Sequence, residues 1–340
     1  MSGKPTTETG RRGAFALLVA LVVLAVIASL GLGAVVIPPS EVAAAVARRF
    51  GLAWGSEPSA TAVSVLWNIR LPRALLAAVT GAGLAVAGAA LQGLFRNRLA
   101  EPHLLGIAPG AALGGVLGAS VGGTSGAVAG GTIAGMLTAL ILKRLSRSRS
   151  SEPSRFVLTG LALGLAITAW VGFVVFTGDR TRIPPMEFWL LGNLAGTTWP
   201  TLGTTTVLVS LGIAGLLAGG HSLDLLTLGE ADARRLGLDV GLTLTVLLLA
   251  VGAITGAAVG ASGVIVFVGL VSPHLARGVV GAGHHRLLAG SALVGALVVM
   301  SADILGRTLA SPREIPVGLI TAAVGGPFFL WLIRDPEFTE

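Results

Sequence analysis

Long uncharged runs separated by short polar stretches set the pattern of this chain. Residues 13–37, 74–95, 156–178, 199–220, 287–304 and 315–333 each form one predominantly apolar run, close to the 20 or so residues that a helix needs to cross a bilayer. Two further runs, 104–142 and 240–273, carry no charge. Each is too long for one crossing and long enough for two short ones, with turns expected at 122–125 and 260–263. The pattern therefore predicts ten spans with both termini on the cytoplasmic side. Between the spans, 41–50 reads as an amphipathic helix on the outer face and 188–198 as a short helix in an outer loop that contains Pro184 and Pro185. The first run is read as a span and not as a cleaved signal, whose apolar region would be about 7–15 residues.

One polar stretch, 221–240, interrupts the apolar runs and spells out its own helix. Thr227-Leu228-Gly229-Glu230 fits the capping-box spacing, in which the Thr and Glu side chains each satisfy an orphan backbone N–H. Glu230 and Asp232 stand in the first turn and Arg234 and Arg235 in the last, matching the helix dipole. Gly237 stands where a C-terminal glycine belongs. The spacing predicts a helix of roughly nine residues, about 13 Å long. At a membrane surface it is either a solvated connector or a handle for a second protein.

Composition sharpens this picture. The 340 residues are 53% hydrophobic and only 11% charged, with a mean hydropathy of +0.87. A soluble protein carries about 25% charged residues, so this is a membrane protein. The net charge of +7 does not point to nucleic acid, because it lies mostly in short loops. With the ten-span topology 15 of the 23 Lys and Arg face inward and 8 outward, in the sense of the positive-inside rule. The block 143–155 is the strongest inward marker. There is no cysteine, which excludes disulfides, thiolate metal sites and a cysteine nucleophile. Lys4 and Lys143 are the only lysines and neither lies in a phosphate-binding loop, so the chain binds no ATP-Mg itself. Glycine is abundant, and the four-apart series Gly110, Gly114, Gly118 and Gly252, Gly256, Gly260 suit close helix crossings.

The spans hold almost no ionisable group, whereas proton relays and ion pathways need them. Asp303 is the exception, and Arg307 four residues on reads as its helical partner. His274 reads as a packing histidine, and Gln92 and Asn193 as interhelical hydrogen-bonding groups. A proton-coupled secondary transporter, a charge-selective channel and an intramembrane enzyme are all disfavoured, and no catalytic or metal-ligating constellation is expected. A weakly polar path suits a bulky solute carried in complexed form. Four outward arginines, Arg70, Arg73, Arg307 and Arg313, need their own reason: interfacial snorkelling, or a basic rim for an acidic partner.

Trp67 to Arg73 (WNIRLPR), Gly81 to Gln92, Leu94 to Gly106, Phe188 to Gly192, Leu228 to Gly237, Gly263 to Arg277, Ala302 to Arg307 and Ile315 to Gly318 follow one another in the order seen in FecCD-type permeases. The chain resembles that family over residues 35–334. These are membrane subunits of type II ABC importers for ferric siderophores, haem and cobalamin. The resemblance implies an all-α polytopic protein of ten transmembrane helices, one permease domain over 1–340, in the cytoplasmic (inner) membrane. It implies a homodimer around a central pathway, two cytoplasmic ATPase subunits that bind ATP-Mg, and an extracytoplasmic substrate-binding protein. It makes Thr227, Leu228, Gly229, Glu230, Ala231, Arg234, Arg235 and Gly237 the helix that couples to the ATPase. It makes Arg70, Arg73 and Arg307 docking residues for the binding protein, to which we add Arg313. Gly106, Pro109 and Gly110 stand near the pathway's inner gate. Arg98 replaces the family's usual proline, and the segment ending in Pro109 departs from its usual Gly-x-Ser-x-Gly-Ala. The expected function is import of an iron chelate, a ferric siderophore or haem. The alternatives are cobalamin and, from another class, a proton-coupled secondary transporter.

Overall fold

A computed structural model describes residues 8–33, 36–52, 57–145, 153–178 and 186–334. In chain order the helices are α1 (Glu8–Gly31), α2 (Pro39–Arg49), α3 (Ala60–Val65), a π turn (Leu66–Arg70), α4 (Leu71–Leu94), α5 (Ile107–Leu145), α6 (Pro153–Thr177) and α7 (Met186–Leu191). They continue with α8 (Trp199–Ala218), α9 (Gly220–Thr227), α10 (Glu230–Arg235), α11 (Val240–Ser262), α12 (Val268–Val280), α13 (His284–Thr308) and α14 (Val317–Ile333). No strand occurs among the described residues. Pro184, Pro185 and most of the basic block after Arg144 lie outside the described residues.

Among the described residues, seven helices are long and apolar enough to cross a membrane, and a shorter apolar helix, Val317–Leu332, follows. Two departures from the expected spans stand beside one feature that the sequence foretold. α5 is not one straight helix: Gly122 and Gly123 leave helical geometry, Gly123 at φ 59°, and the chain folds back. Gly118 then lies against Gly126, and Gly114 against Gly130, at backbone contact. α12 has 13 residues and α14 has 17, each shorter than a full crossing by length alone. α12 also runs past Pro273, where the span was expected to end. Pro273 lacks the N–H that would bond the Gly269 carbonyl four residues back; the Gln92 side-chain amide donates to that oxygen instead, at 3.2 Å. The expected interhelical role of Gln92 is thereby given a cause. Asn193 differs, accepting locally from the Ala195 N–H at 2.7 Å.

α4 forms the axis of the bundle. Apart from Ala82, every residue from Thr80 to Leu94 is buried, as a helix apolar on all sides requires. It touches α1, α8, α9, α11, α12 and α13. Small residues set how closely the helices approach. The second arm of α5 crosses α11 where Gly131 and Gly135 meet Gly252, Gly256 and Gly260, and α4 meets α13 at Gly81 and Gly295 and α12 at Gly88 and Gly269. Helices α3 and α4 join without a break through the π turn, in which the Leu71 N–H reaches back to the Leu66 carbonyl. The extra residue in that turn accommodates Pro72 in the middle of a continuous 35-residue helix. α2 forms as the amphipathic pattern predicts, burying Val42, Ala44 and Ala45 beside Leu30, Ile37, Ala62 and Leu66.

Candidate functional site

The chemistry-bearing residues gather at the two ends of the bundle. At one end, α9 and α10 lie beside the start of α13 and the loop 95–106. The coupling segment differs from its expected form. Thr227 closes α9, and its hydroxyl donates to the Asp224 carbonyl at 2.6 Å. No capping box forms. α10 starts at Glu230 after Gly229, whose φ of 106° suits only glycine, and has six residues. The reason is that α9 continues through Thr227 and holds its side chain away from the N–H groups of α10. The C-terminal half does form as expected: Gly237, at φ 88°, donates to the Arg234 carbonyl and Leu238 to that of Ala233, a Schellman closure.

Glu230 pairs with Arg234 at 3.0 Å and Asp232 with Arg235 at 3.1 Å, all four exposed. Leu228 and Ala231 are exposed as well, while Ala233 is fully buried and roots α10 in the bundle. α10 thus shows a charged face outward on a small apolar root. Two contacts join this segment to the spans. Asp224 on α9 accepts from the His284 N–H at 3.1 Å and lies 2.6 Å from its Nδ1, capping the free N-terminus of α13 from another helix. Burial alone would raise the Asp224 carboxyl, but the His284 hydrogen bonds and the nearby His221 hold it below its ordinary value. The His284 ring in turn packs on Gly93 at the end of α4, where a Cβ would sit 2.9 Å from its Cδ2. The second contact is Arg96, at φ 48°, whose guanidinium lies over Gly229.

The loop 95–106 leads from there to the residues expected at the gate. Gly106, Pro109 and Gly110 are all buried. Gly106, at φ 76°, abuts Gly160 on α6, and Gly110 abuts Thr138 on the second arm of α5. Sequence reasoning missed Glu101 in this loop. It is 2% exposed, and its carboxyl accepts the backbone N–H of Phe267, the residue that precedes α12. Burial pushes its pKa up from 4.5 to about 7, the Phe267 hydrogen bond opposing it. Between those values the folded chain holds a proton that the unfolded chain has released. The associated stability is full below about pH 4.5 and is lost as pH rises to about 7, a fall of about 3 kcal/mol. Between pH 5 and pH 8 the thermal midpoint of the purified chain is therefore expected to fall relative to that of Glu101→Gln, in which this contribution is absent. Parallel declines in both proteins would assign the pH dependence elsewhere.

At the opposite end the four arginines that the sequence pattern places outward separate. Arg313 is exposed, but Arg70, Arg73 and Arg307 are only 4–6% exposed, which corrects the expectation of a surface rim. Their positions are explained by what they satisfy. Arg70 Nη1 donates to the carbonyls of Leu30 at 2.6 Å and Gly31 at 2.9 Å. Arg307 donates to the Ser29 hydroxyl at 2.7 Å and the Leu32 carbonyl at 3.1 Å. Two guanidinium groups thus close the C-terminus of α1, where cations and donors are favoured. Arg73 pairs with Asp303 and Glu314, both at 2.8 Å, and Arg307 with Asp303 at 3.0 Å. The expected i,i+4 pair is present, inside a larger buried network. The same three arginines and Glu314 line an open cavity of about 340 Å³. His274 packs edge-on against Phe328 at 5.5 Å, a packing histidine as expected.

Residues 21–335 match the model of the FecCD transport family. The chain is 40% identical over 297 residues to the hemin transport system permease protein HmuU of Yersinia pestis, spanning 85% of this chain and 89% of that one. It is 36% identical over 284 residues to the vitamin B12 import system permease protein BtuC of Yersinia enterocolitica, spanning 82% and 84%. To the cobalamin import system permease protein BtuC of Halobacterium salinarum it is 39% identical over 280 residues, spanning 82% and 75%. A solved structure described as an inward-facing conformation of a metal-chelate type ABC transporter superposes with a TM-score of 0.79 at 31% identity, covering 94% of this chain and 98% of that one. The chain is an integral membrane permease of an ABC importer, working with a separate subunit that hydrolyses ATP and with a binding protein. A match across nearly the whole length, on a helical bundle of the same fold, makes it a member of the FecCD transport family.

Proposed function

We propose that two copies of this chain enclose a pathway for a large metal chelate, with haem as the first cargo, ferric siderophore beside it, and cobalamin as the second reading. The 40% identity to a hemin permease supports haem, and the cobalamin permeases at 36–39% support the second reading equally. In this reading each arm of α5 crosses the membrane, as do α12 and α14, which brings the crossings to ten. Both termini lie on the cytoplasmic side of the inner membrane, with α10. Support for a homodimer comes from α6 and α14, which expose apolar faces through Leu165 and Phe173 on one and Leu330 and Trp331 on the other. The experiment is cargo binding by the partner binding protein, followed by ATP-driven uptake in proteoliposomes. Haem bound and transported supports the first reading, and cobalamin alone would install the second. Uptake driven by a proton gradient without the ATPase would remove the permease reading altogether.

In the same reading α10 takes the push of the ATPase and passes it on by two routes, Arg96 over Gly229 into the gate loop and Asp224–His284 into α13. An acidic side chain of the binding protein enters the cavity lined by Arg70, Arg73 and Arg307, with Arg313 at its exposed edge. Glu230→Ala with Arg234→Ala tests the coupling role. The pair is exposed and worth about 0.2–0.5 kcal/mol, so insertion and thermal stability are expected to hold. Co-purification of the ATPase and transport should both fall. Unchanged co-purification with unchanged transport would remove α10 from the coupling path.

A further inference from the structure

α1 and α13 lie side by side, and each carries one stripe that changes character along its length. On α1 the stripe is Arg11, Phe15, Leu18; on α13 it runs from Arg286 to Val294 and Leu297, both at helical spacing. At the charged end, Arg11, Arg12, Phe15 and Arg286 line a cavity of about 520 Å³. Farther along, Leu18, Val294 and Leu297 wall a cleft of about 590 Å³, closed on its other sides by α12 and α14. The cleft's only hydroxyls are Ser301 and Thr321.

We propose that this groove binds one anionic glycerophospholipid, its phosphate on Arg11, Arg12 and Arg286 and an acyl chain in the cleft between α1, α12, α13 and α14. Three guanidinium groups converging on one cavity suit a phosphodiester, which offers both negative charge and acceptor oxygens. Basic pockets between membrane helices take anionic headgroups by this chemistry. Val294 stands about 12 Å along α13 from Arg286, the offset that carries a ligand from the headgroup layer into hydrocarbon. A free phosphate would leave the apolar cleft unfilled; both spaces lie along the same two helices, α1 and α13, and that alignment selects the lipid. The proposal requires only that these helices cross a membrane. It is independent of the cargo and of the orientation, either of which can fail without it.

The test extracts the full-length permease in mild detergent from bilayers of phosphatidylglycerol and phosphatidylethanolamine and reads retained lipid by native mass spectrometry. One phosphatidylglycerol per chain is expected, enriched about tenfold over the bilayer ratio, with the enrichment falling about fivefold for each arginine neutralised in Arg12→Gln and Arg286→Gln. Val294→Trp, which fills the cleft, should reduce retention of both lipids, with the thermal midpoint reporting that the chain is folded. Retention at the bilayer ratio, or full enrichment in the Arg12→Gln, Arg286→Gln double variant, would overturn the proposal. Because the chain has no cysteine, Leu297→Cys offers a clean further readout. A cross-link between two copies through that position would make the groove a subunit interface and remove the lipid from it.

Discussion

Asp303→Ala is expected to destabilise the chain by about 3–5 kcal/mol, the usual loss when one partner of a buried ion pair is removed. Asp303 has no exposed surface. One of its oxygens accepts from Arg73 Nε at 2.8 Å and the other lies 3.0 Å from Arg307 Nε. Without the carboxylate two buried guanidinium groups face each other, and neither can reach water without letting go of what it holds. Arg73 would keep only Glu314, and Arg307 only the end of α1. Thermal unfolding in detergent should show the loss directly. Asp303→Leu combined with Arg73→Met and Arg307→Met should recover part of it, because replacing a whole buried network with apolar groups is far less costly than breaking it. Wild-type stability in Asp303→Ala would mean that water already reaches the network.

The second large effect is expected at Gly256. A Cβ there would meet the Gly131 carbonyl oxygen and sit 2.5 Å from Thr132 Cα. Both obstacles are backbone, so no rotamer change relieves the clash, and α11 must move away from the α5 hairpin. Overpacking typically costs about 1–3 kcal/mol. Gly256→Val should reach or exceed the top of that range, because separating these helices also gives up the contacts at Gly135 and Gly260. Gly203, on α8, has open space around its missing Cβ, so Gly203→Val is the matched control and should leave the thermal midpoint unchanged. Equal stability in both variants would mean that the crossing is loose enough to absorb an isopropyl group.

Hydropathy carried most of the helix layout. The uncharged run 104–142 foretold the hairpin, because no single crossing could use its length, and Gly122–Gly123 supplied the turn. What it could not carry was depth and partnership. Arg73 looks like a surface charge in the sequence because its partners Asp303 and Glu314 lie 230 and 241 residues away. Pro273 looks like a helix end because the amide that satisfies the carbonyl it frees, on Gln92, is 177 residues away. The capping box at Thr227 failed for a local reason. The chain before the motif is already helical and claims the threonine for α9. Glu101 gave no signal in a loop rich in polar residues, since only the fold brings the start of α12 over it.

The closure of α1 also sets an order of events during synthesis. α1 is made first, but the groups that close its far end come much later: Arg70 stands 40 residues after Leu30, and Arg307 stands 278 after Ser29. Until α4 has emerged, the last carbonyls of α1 have only interfacial water to bond. Until α13 follows, the end is half tied. α1 is therefore expected to be latched onto the bundle in two steps, the second only once Arg307 has been made. A nascent chain arrested before α13 should leave residues 29–32 open to protease or water-soluble labels, and one arrested after it should not.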